Sequence, residues 1–322
     1  MKKLPRHRYL HETEPTALVP VQLGETDPEI WCKLEFLNPS GSTKDRIARH
    51  MLEKAWRLGI IEEGDLVVEA SSGSTSIALA LCCAQMGLRF LAFIPSTATN
   101  ERALMIKAYG GEVRKVSGTM PEVIALASEY AEREGAFFTQ QFENPDNAES
   151  HELFTAHEIM AQLPDANVDA VVSGIGTGGS LVGMHEGLTK AGCSTQPVAA
   201  IPRCAEGDFT SNVECCSLQF SKDVPGVIDG CSKLYAEWRE SEGAENLREV
   251  VVDDTRCLDV TQELWKKGFP VGPSSGLNYA AAVEAAKDLP EGATVVTVFP
   301  DRMERYFSHK VFDTLREELD EA

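Results

Sequence analysis

A lysine stands directly after a run of small polar residues, at the start of a segment with helical periodicity. Lys44 follows the stretch "NPSGST" at positions 38–43, and Ile47, Met51 and Leu52 recur at the spacing of one helix face. The helix macrodipole disfavours a cation in the first turn, so a surface lysine here would only be tolerated. The other interpretation is a buried amine whose pKa is lowered by desolvation and nearby positive potential, and which carries out chemistry.

A second stretch, "SGIGTGGSLVG" at positions 173–183, joins an apolar strand to a helix. Its glycines let the backbone approach an anion closely, and its hydroxyl side chains add donors. These residues are Gly174, Gly176, Gly178 and Gly179, with Thr177 and Ser180. A tight turn without a ligand needs fewer glycines, so we favour a phosphate. No Gly-Lys-Ser/Thr follows, and the spacing is wrong for a dinucleotide fingerprint.

Two further strand-to-helix turns are rich in serine. "EASSGSTSIALA" at positions 69–80 presents hydroxyls and amides that suit a carboxylate, whereas plain N-capping needs only one serine. "PVGPSSGLNYAAA" at positions 270–282 places Ser274 and Ser275 ahead of an alanine-rich helix. A phosphate site, a hydroxyl site and a candidate buried lysine together indicate pyridoxal 5'-phosphate, with an amino-acid substrate whose carboxylate occupies the other loop.

Short apolar strands alternate with helices along the whole chain. The predicted strands are "IWCKLEF" (30–36), "DLVVEAS" (65–71), "RFLAFIP", "EVRKV", "VDAVVSGIG", "PVAAIP" and one within "EGATVVTVFPDR". Near-continuous apolar strands between helices predict parallel sheets that are covered on both faces. We therefore expect an α/β protein with two lobes and a ligand at the seam between their sheets.

Composition narrows the classes of partner. The formal net charge is −20, from 30 basic and 50 acidic residues, which argues against nucleic acid and anionic membranes. No apolar run is long enough to span a membrane, and no signal-type stretch follows the basic N-terminus, so we expect a cytoplasmic protein.

The nine cysteines fit reduced thiols, and the four between positions 204 and 231 match no zinc pattern. We expect no metal site and interpret His50, His151 and His157 as surface or capping residues.

Taken together, these motifs resemble the fold-type II pyridoxal phosphate enzymes, specifically the cysteine synthase and cystathionine β-synthase family. The resemblance covers almost the whole chain and follows the family's order: "PTALVPVQL", "KLEFLNPSGSTKDR", "SSGSTSIALA", "QQFENPDN", "SGIGTGGSLVG", "VGPSSG" and "FPDRMERY". It implies a tryptophan synthase β-like fold with the cofactor in the cleft between two lobes, and a homodimer. Residues 38–151, with 1–15, would form the smaller lobe, and residues 152–322, with 16–37, the larger one.

The resemblance also implies a role for each matching position. Lys44 would form the Schiff base with the cofactor and later move the substrate's α-proton. Ser274 would face the pyridine nitrogen, where a hydroxyl leaves that nitrogen largely unprotonated. The cofactor phosphate would be bound by Gly176, Thr177, Gly178, Gly179 and Ser180. The substrate carboxylate would be bound by Ser71, Ser72, Thr75 and Gln141.

Two departures from the family pattern concern the substrate more than the cofactor. Ser74 stands where the family usually has the asparagine that contacts the cofactor's phenolic oxygen, and Ser76 replaces the following glycine. The shorter serine would lose that contact or make it through water. In "VPGVIDGCSKLY", Asp229, Cys231 and Lys233 replace a glycine-rich wall at the substrate entrance. We expect a more polar pocket and a preference that differs from plain O-acetylserine with sulfide.

Three activities remain open at this point. The first is β-replacement on an activated serine or a cysteine, as in a cysteine synthase. The second is β-elimination, as in a cysteine desulfhydrase or a serine/threonine dehydratase, which would use the same residues. The third is a catalytically silent binding protein on the same fold, against which Lys44 argues.

Overall fold

Two sheets of mostly parallel strands, each flanked by helices, make up the fold, which confirms the predicted α/β class. The computed structural model describes residues 2–4, 15–203, 223–227 and 232–321. Within these residues, no helix is long and apolar enough to cross a bilayer. The predicted boundary between the lobes, at residues 151 and 152, stays a prediction.

The larger sheet has six strands in the order β1-β2-β10-β7-β8-β9, and only the β1–β2 pair is antiparallel. Its strands are β1 Leu18–Val21, β2 Ile30–Lys33, β7 Ala170–Gly174, β8 Gln196–Arg203, β9 Arg248–Asp253 and β10 Val295–Val298. The helices of this half are α6 His157–Gln162, α7 Gly179–Lys190, α8 Lys233–Arg239, α9 Asp254–Lys266, α10 Pro273–Ala286 and α11 Asp313–Asp320. Successive residues of β7 pack on opposite faces: Val172 lies in a core with α9 and α10, and Val171 in one with α6 and α7.

The smaller sheet has four parallel strands in the order β5-β4-β3-β6. They are β3 Leu66–Ala70, β4 Arg89–Pro95, β5 Glu112–Val116 and β6 Phe137–Phe138. The helices are α1 Lys44–Leu58, α2 Ser74–Met86, α3 Asn100–Ala108, α4 Met120–Glu134 and α5 Asp146–Ser150. Val67 of β3 packs with α1 and α2, and Val68 packs with α4, so this sheet is also covered on both faces.

Short helical segments of other types connect these elements. The 3-10 segments are Glu35–Leu37, Glu242–Ala244, Met303–Tyr306 and Lys310–Phe312, and a π-helical segment spans His151–Ala156.

The predicted strand at positions 30–36 is too long. Strand β2 ends at Lys33, and a 3-10 segment follows at Glu35–Leu37. Glu35 is completely buried and accepts hydrogen bonds from Arg46 on both carboxylate oxygens, at 2.6 and 2.7 Å. This ion pair comes from tertiary structure, so the local sequence pattern does not reveal it. Helix α10 also begins one residue before Ser274, so Ser274 and Ser275 lie in its first turn instead of ahead of it.

Candidate active site

A cavity opens at the carboxyl ends of the strands, between the two sheets. Loops after β3, β7 and β10 all contribute to its wall, which is where parallel sheets usually bind ligands. Ten predicted site residues line it: Lys44, Ser71, Ser72, Ser74, Thr75, Gln141, Gly176, Thr177, Ser180 and Ser274. Gly178 and Gly179 shape the same loop without lining the cavity.

Lys44 is the first residue of α1, and its side chain lines the cavity. Its amine makes no hydrogen bond among the described residues. Burial lowers its pKa, whereas the negative charges of Asp301 and Glu35 act in the opposite direction. The sequence led us to expect that nearby positive potential would also lower this pKa. That expectation is wrong, because Asp301 and Glu35 are both acidic. Desolvation is the cause that lowers this pKa.

The turn before Lys44 is tied to the larger sheet. Thr43 donates its backbone N–H to the carbonyl of Pro300 at 2.8 Å, and Arg302 donates its backbone N–H to Gly41 at 3.2 Å. The guanidinium of the buried Arg305 bonds the carbonyls of Ser40 and Gly41. The polar run at positions 38–43 is therefore a fixed turn that aims the lysine at the cavity.

The glycine loop, residues 174–180, leads from β7 into α7. The first amides of a helix have no partner within it, so α7 offers several N–H donors to an anion. Gly178, the N-cap, has a φ of +79°, which an L side chain rarely adopts. A Cβ added at Gly176 would lie 2.4 Å from the carbonyl oxygen of Gly226. Thr177 Oγ1 accepts a hydrogen bond from Asn147 at 2.8 Å, which leaves its own hydrogen for a ligand. The loop fits a phosphate.

His151 lies behind this loop, and its interpretation as a surface or capping residue is wrong. It is buried, and its Nε2 is 3.1 Å from Ser180 Oγ while its Nδ1 is 2.9 Å from Thr155 Oγ1. Burial, and then the positive charge of Lys44, lower its pKa to about 3, so the ring is neutral at pH 7. No sequence spacing links His151 to Ser180, which is 29 residues away.

The serine loop, residues 71–76, leads from β3 into α2. Ser71 Oγ lies 2.6 Å from Ser76 Oγ and accepts the backbone N–H of Gly73 at 3.1 Å. Thr75 Oγ1 donates to Gln141 Oε1 at 2.6 Å. These side chains mainly hold the loop in shape. The groups left for a carboxylate are the first amides of α2 and the hydroxyl of Ser72, which has no partner among the described residues.

Asp301, which follows β10 of the larger sheet, contacts the serine loop. The sequence analysis did not identify this residue. Ser74 Oγ donates to Asp301 Oδ2 at 3.2 Å, and the hydroxyl of Tyr306 donates to the same oxygen at 2.7 Å. The second oxygen, Oδ1, is buried and has no partner in the part of the chain described. The position where the family has asparagine is thus occupied by a serine whose hydrogen is directed at a carboxylate.

The second predicted departure involves Asp229, Cys231 and Lys233, of which Lys233 is described. Asp229 and Cys231 lie outside the described residues. Lys233 begins α8, does not line the cavity, and lies 3.8 Å from Glu143 with a side chain that is 60% exposed. Its expected contribution to a polar entrance therefore stays a prediction, and the described residues of the wall there are Pro225, Gly226 and Val227.

One group of side chains in the described residues has ligand-like spacing, namely His50, Asp146 and Glu149. The ammonium of Lys54 lies 2.5 Å from a carboxylate oxygen of both acids. The cation that balances these carboxylates is therefore a side chain of the protein itself.

The family model for pyridoxal-phosphate dependent enzymes matches residues 10–301. The chain belongs to this family. A cysteine synthase of Staphylococcus aureus is 37% identical over 287 residues, which cover 88% of this chain and 89% of the relative. An O-ureido-L-serine synthase of Streptomyces lavendulae is 33% identical and covers 94% and 92%. The structure of an O-acetylserine dependent cystathionine β-synthase from Helicobacter pylori has a TM-score of 0.80 at 28% identity, covering 93% and 96%.

These findings confirm the predicted resemblance and the predicted cofactor, pyridoxal 5'-phosphate. The residues present fit that cofactor in three ways. The glycine loop packs too closely against Gly226 and Tyr235 for a side chain at Gly176 or Gly178, so it presents backbone amides to a phosphate. Lys44 offers an amine with a lowered pKa. Ser274 lines the cavity, and its hydroxyl has no partner among the described residues.

Proposed function

We propose that this protein catalyses pyridoxal phosphate-dependent β-replacement on an activated serine or a cysteine, in the manner of a cysteine synthase. The observation that carries the proposal is the position of Lys44, whose side chain lines the cavity shared by the glycine loop and the serine loop. The relatives support it, because two of those reported act, by name, as a cysteine synthase and an O-ureido-L-serine synthase.

In this proposal the glycine loop binds the cofactor and the serine loop binds the substrate. The glycine loop would hold the cofactor phosphate through its amides and the hydroxyls of Thr177 and Ser180. The serine loop would hold the substrate carboxylate through the first amides of α2 and the hydroxyl of Ser72. Ser274 would contact the pyridine nitrogen.

When bound, pyridoxal phosphate would supply an electron sink that acidifies the substrate's α-hydrogen. The Lys44 amine would take this proton. Burial lowers the pKa of that amine, which favours the neutral form that a general base requires. The Gln141 side chain orients the serine loop, because it accepts from Thr75 and donates to the carbonyl of Ala70 at 2.6 Å.

β-Elimination uses the same residues and differs only in lacking a second substrate. We therefore test the holoprotein with O-acetylserine plus sulfide, and separately with cysteine alone, using mass-spectrometric product detection. Replacement predicts a new β-substituted alanine in the first reaction. Pyruvate and ammonia as the main products, from cysteine alone, would favour elimination. No turnover in either reaction would contradict cysteine synthase activity.

The homodimer and the cytoplasmic location belong to the same proposal. The homodimer rests on family resemblance, and sedimentation at micromolar concentration checks it. A monomer at that concentration would contradict it.

A further inference from the structure

Arg102 lies directly beneath the serine loop, outside the cavity wall. It is only 3% exposed, and one of its terminal nitrogens, Nη1, donates to the carbonyl of Ser72 at 2.8 Å. Gly73 has a φ of +141°, and a Cβ built there would lie 2.4 Å from Arg102 Cδ. The loop backbone thus rests on the arginine side chain, and only glycine fits at the point of contact.

The orientation of this guanidinium is fixed from the opposite side. Its central carbon lies 5.0 Å from the ring centroid of Tyr306, which is a cation–π distance. The hydroxyl of Tyr306 donates to Asp301 Oδ2, which also accepts from Ser74. Arg102 and Asp301 therefore contact the serine loop at Ser72 and at Ser74, and Tyr306 connects them.

Two features make Arg102 an unfavourable choice for stability alone. It lies in the first turn of α3, where the macrodipole disfavours a cation. Its charge is buried without an ion pair among the described residues, and its Nε has no hydrogen-bond partner there. Buried charges in proteins are ordinarily paired. An anion on the other side of Ser72 would provide the missing negative charge.

We infer that Arg102 is a positioning residue for the carboxylate of the amino-acid substrate. It acts through Ser72, by holding that residue's carbonyl and by adding positive charge behind the amides that meet the carboxylate. The inference rests on the proposed function, because it assumes that the serine loop binds that carboxylate.

The test compares ligands with and without the carboxylate charge. The holoprotein is titrated with L-alanine and with L-alaninamide, and the visible spectrum of the cofactor reports binding. Neither ligand has a β-leaving group, so binding is measured without replacement or elimination. Arg114→Met is the matched control, because it removes one positive charge from β5, the strand that follows α3, where Arg114 also lies against a tyrosine, 4.2 Å from the ring centroid of Tyr130.

Relative to this control, Arg102→Met is expected to weaken L-alanine binding by about 10- to 100-fold, as for the loss of a charged hydrogen bond. L-alaninamide should be affected much less, and Arg102→Lys, which keeps the charge, should restore part of the L-alanine affinity. Equal losses for both ligands, or an L-alanine affinity equal to that of Arg114→Met, would overturn the inference.

If Arg102→Met does not fold, the affinities of Arg102→Lys for L-alanine and L-alaninamide are compared instead. A loss that is larger for L-alanine than for L-alaninamide supports the inference, and equal affinities or equal losses overturn it. A cofactor-loaded parent that binds no amino acid would contradict the proposed function itself, and the inference with it.

Discussion

The buried carboxyl group of Glu69 accepts the backbone N–H of Gln141 at 3.1 Å, and it thereby anchors a residue of the cavity wall. The same carboxyl group accepts hydrogen bonds from Thr139 and from the backbone of Ala70. Burial raises the pKa of Glu69 to about 7, although these hydrogen bonds act to lower it. The burial of this carboxyl group makes the folded protein sensitive to pH near neutrality.

The sign of this effect follows from proton binding. Between pH 4.5, the ordinary value, and pH 7, the unfolded chain has lost the Glu69 proton while the folded protein keeps it. Stability should therefore fall as pH rises through this window. Relative to Glu69→Gln, which cannot ionise, the parent should lose about 1–3 kcal/mol of unfolding free energy between pH 5 and pH 8. Urea unfolding at both pH values measures the difference, and a constant difference would contradict the prediction.

The glycine loop provides a test of cofactor retention. Gly178→Asp should weaken cofactor binding, because it adds bulk 2.6 Å from Tyr235 Cβ, which displaces the loop, and a negative charge to the loop that would hold the phosphate. Gly192→Asp is the control: it also has a positive φ, +99°, and follows the carboxyl end of the same helix in open space. Dialysis followed by cofactor quantification compares the two. Equal retention would mean that the loop has another function.

The buried ion pair between Arg46 and Glu35 provides a test of stability. Burial alone would raise the pKa of Glu35, but the charge and hydrogen bonds of Arg46 hold it at about 2. Arg46→Met leaves this carboxylate buried and unpaired, so it should cost about 3–5 kcal/mol. Arg57→Met, which removes an exposed partner of Glu53 on the same helix, should cost less than about 1 kcal/mol. Similar urea midpoints for both variants would be inconsistent with this account.

Ser74 tests the link between the departures and substrate preference. Ser74→Asn restores the family's residue next to Asp301 and should change the ranking of kcat/KM among β-substituted alanines. One pocket contact is worth about tenfold to two-hundredfold in discrimination. Ser117→Asn, at an exposed position, is the control. An unchanged ranking, with O-acetylserine preferred throughout, would identify the departure as neutral.

The parts of the site that the sequence predicted are all local. Lys44 lies at a helix start, and the glycine loop and the serine loop are strand-to-helix turns. Each loop contains more glycines or serines than a turn requires. Ser274 was identified by the same pattern, although its helix begins earlier than expected. The resemblance to a family then assigned roles to residues whose types alone were ambiguous.

The parts that the sequence missed depend on tertiary contacts. Ser74 and Asp301 are 227 residues apart, and no local pattern marks Asp301 as part of the cavity. His151 and Arg102 lie on helical segments where a polar residue suggests a surface, yet both are buried. The end of β2 at Lys33 is also set by a distant partner, because Glu35 turns inward to Arg46.

The central claim is that Lys44 carries the cofactor. Reduction of the holoprotein with borohydride fixes the cofactor to its lysine, and peptide mass mapping then identifies that residue. We predict that the cofactor mass is found on the peptide containing Lys44, and that Lys44→Ala loses this adduct and nearly all turnover, whereas Lys54→Ala on the same helix keeps both. An adduct on another lysine, or parent-level activity in Lys44→Ala, would contradict the account.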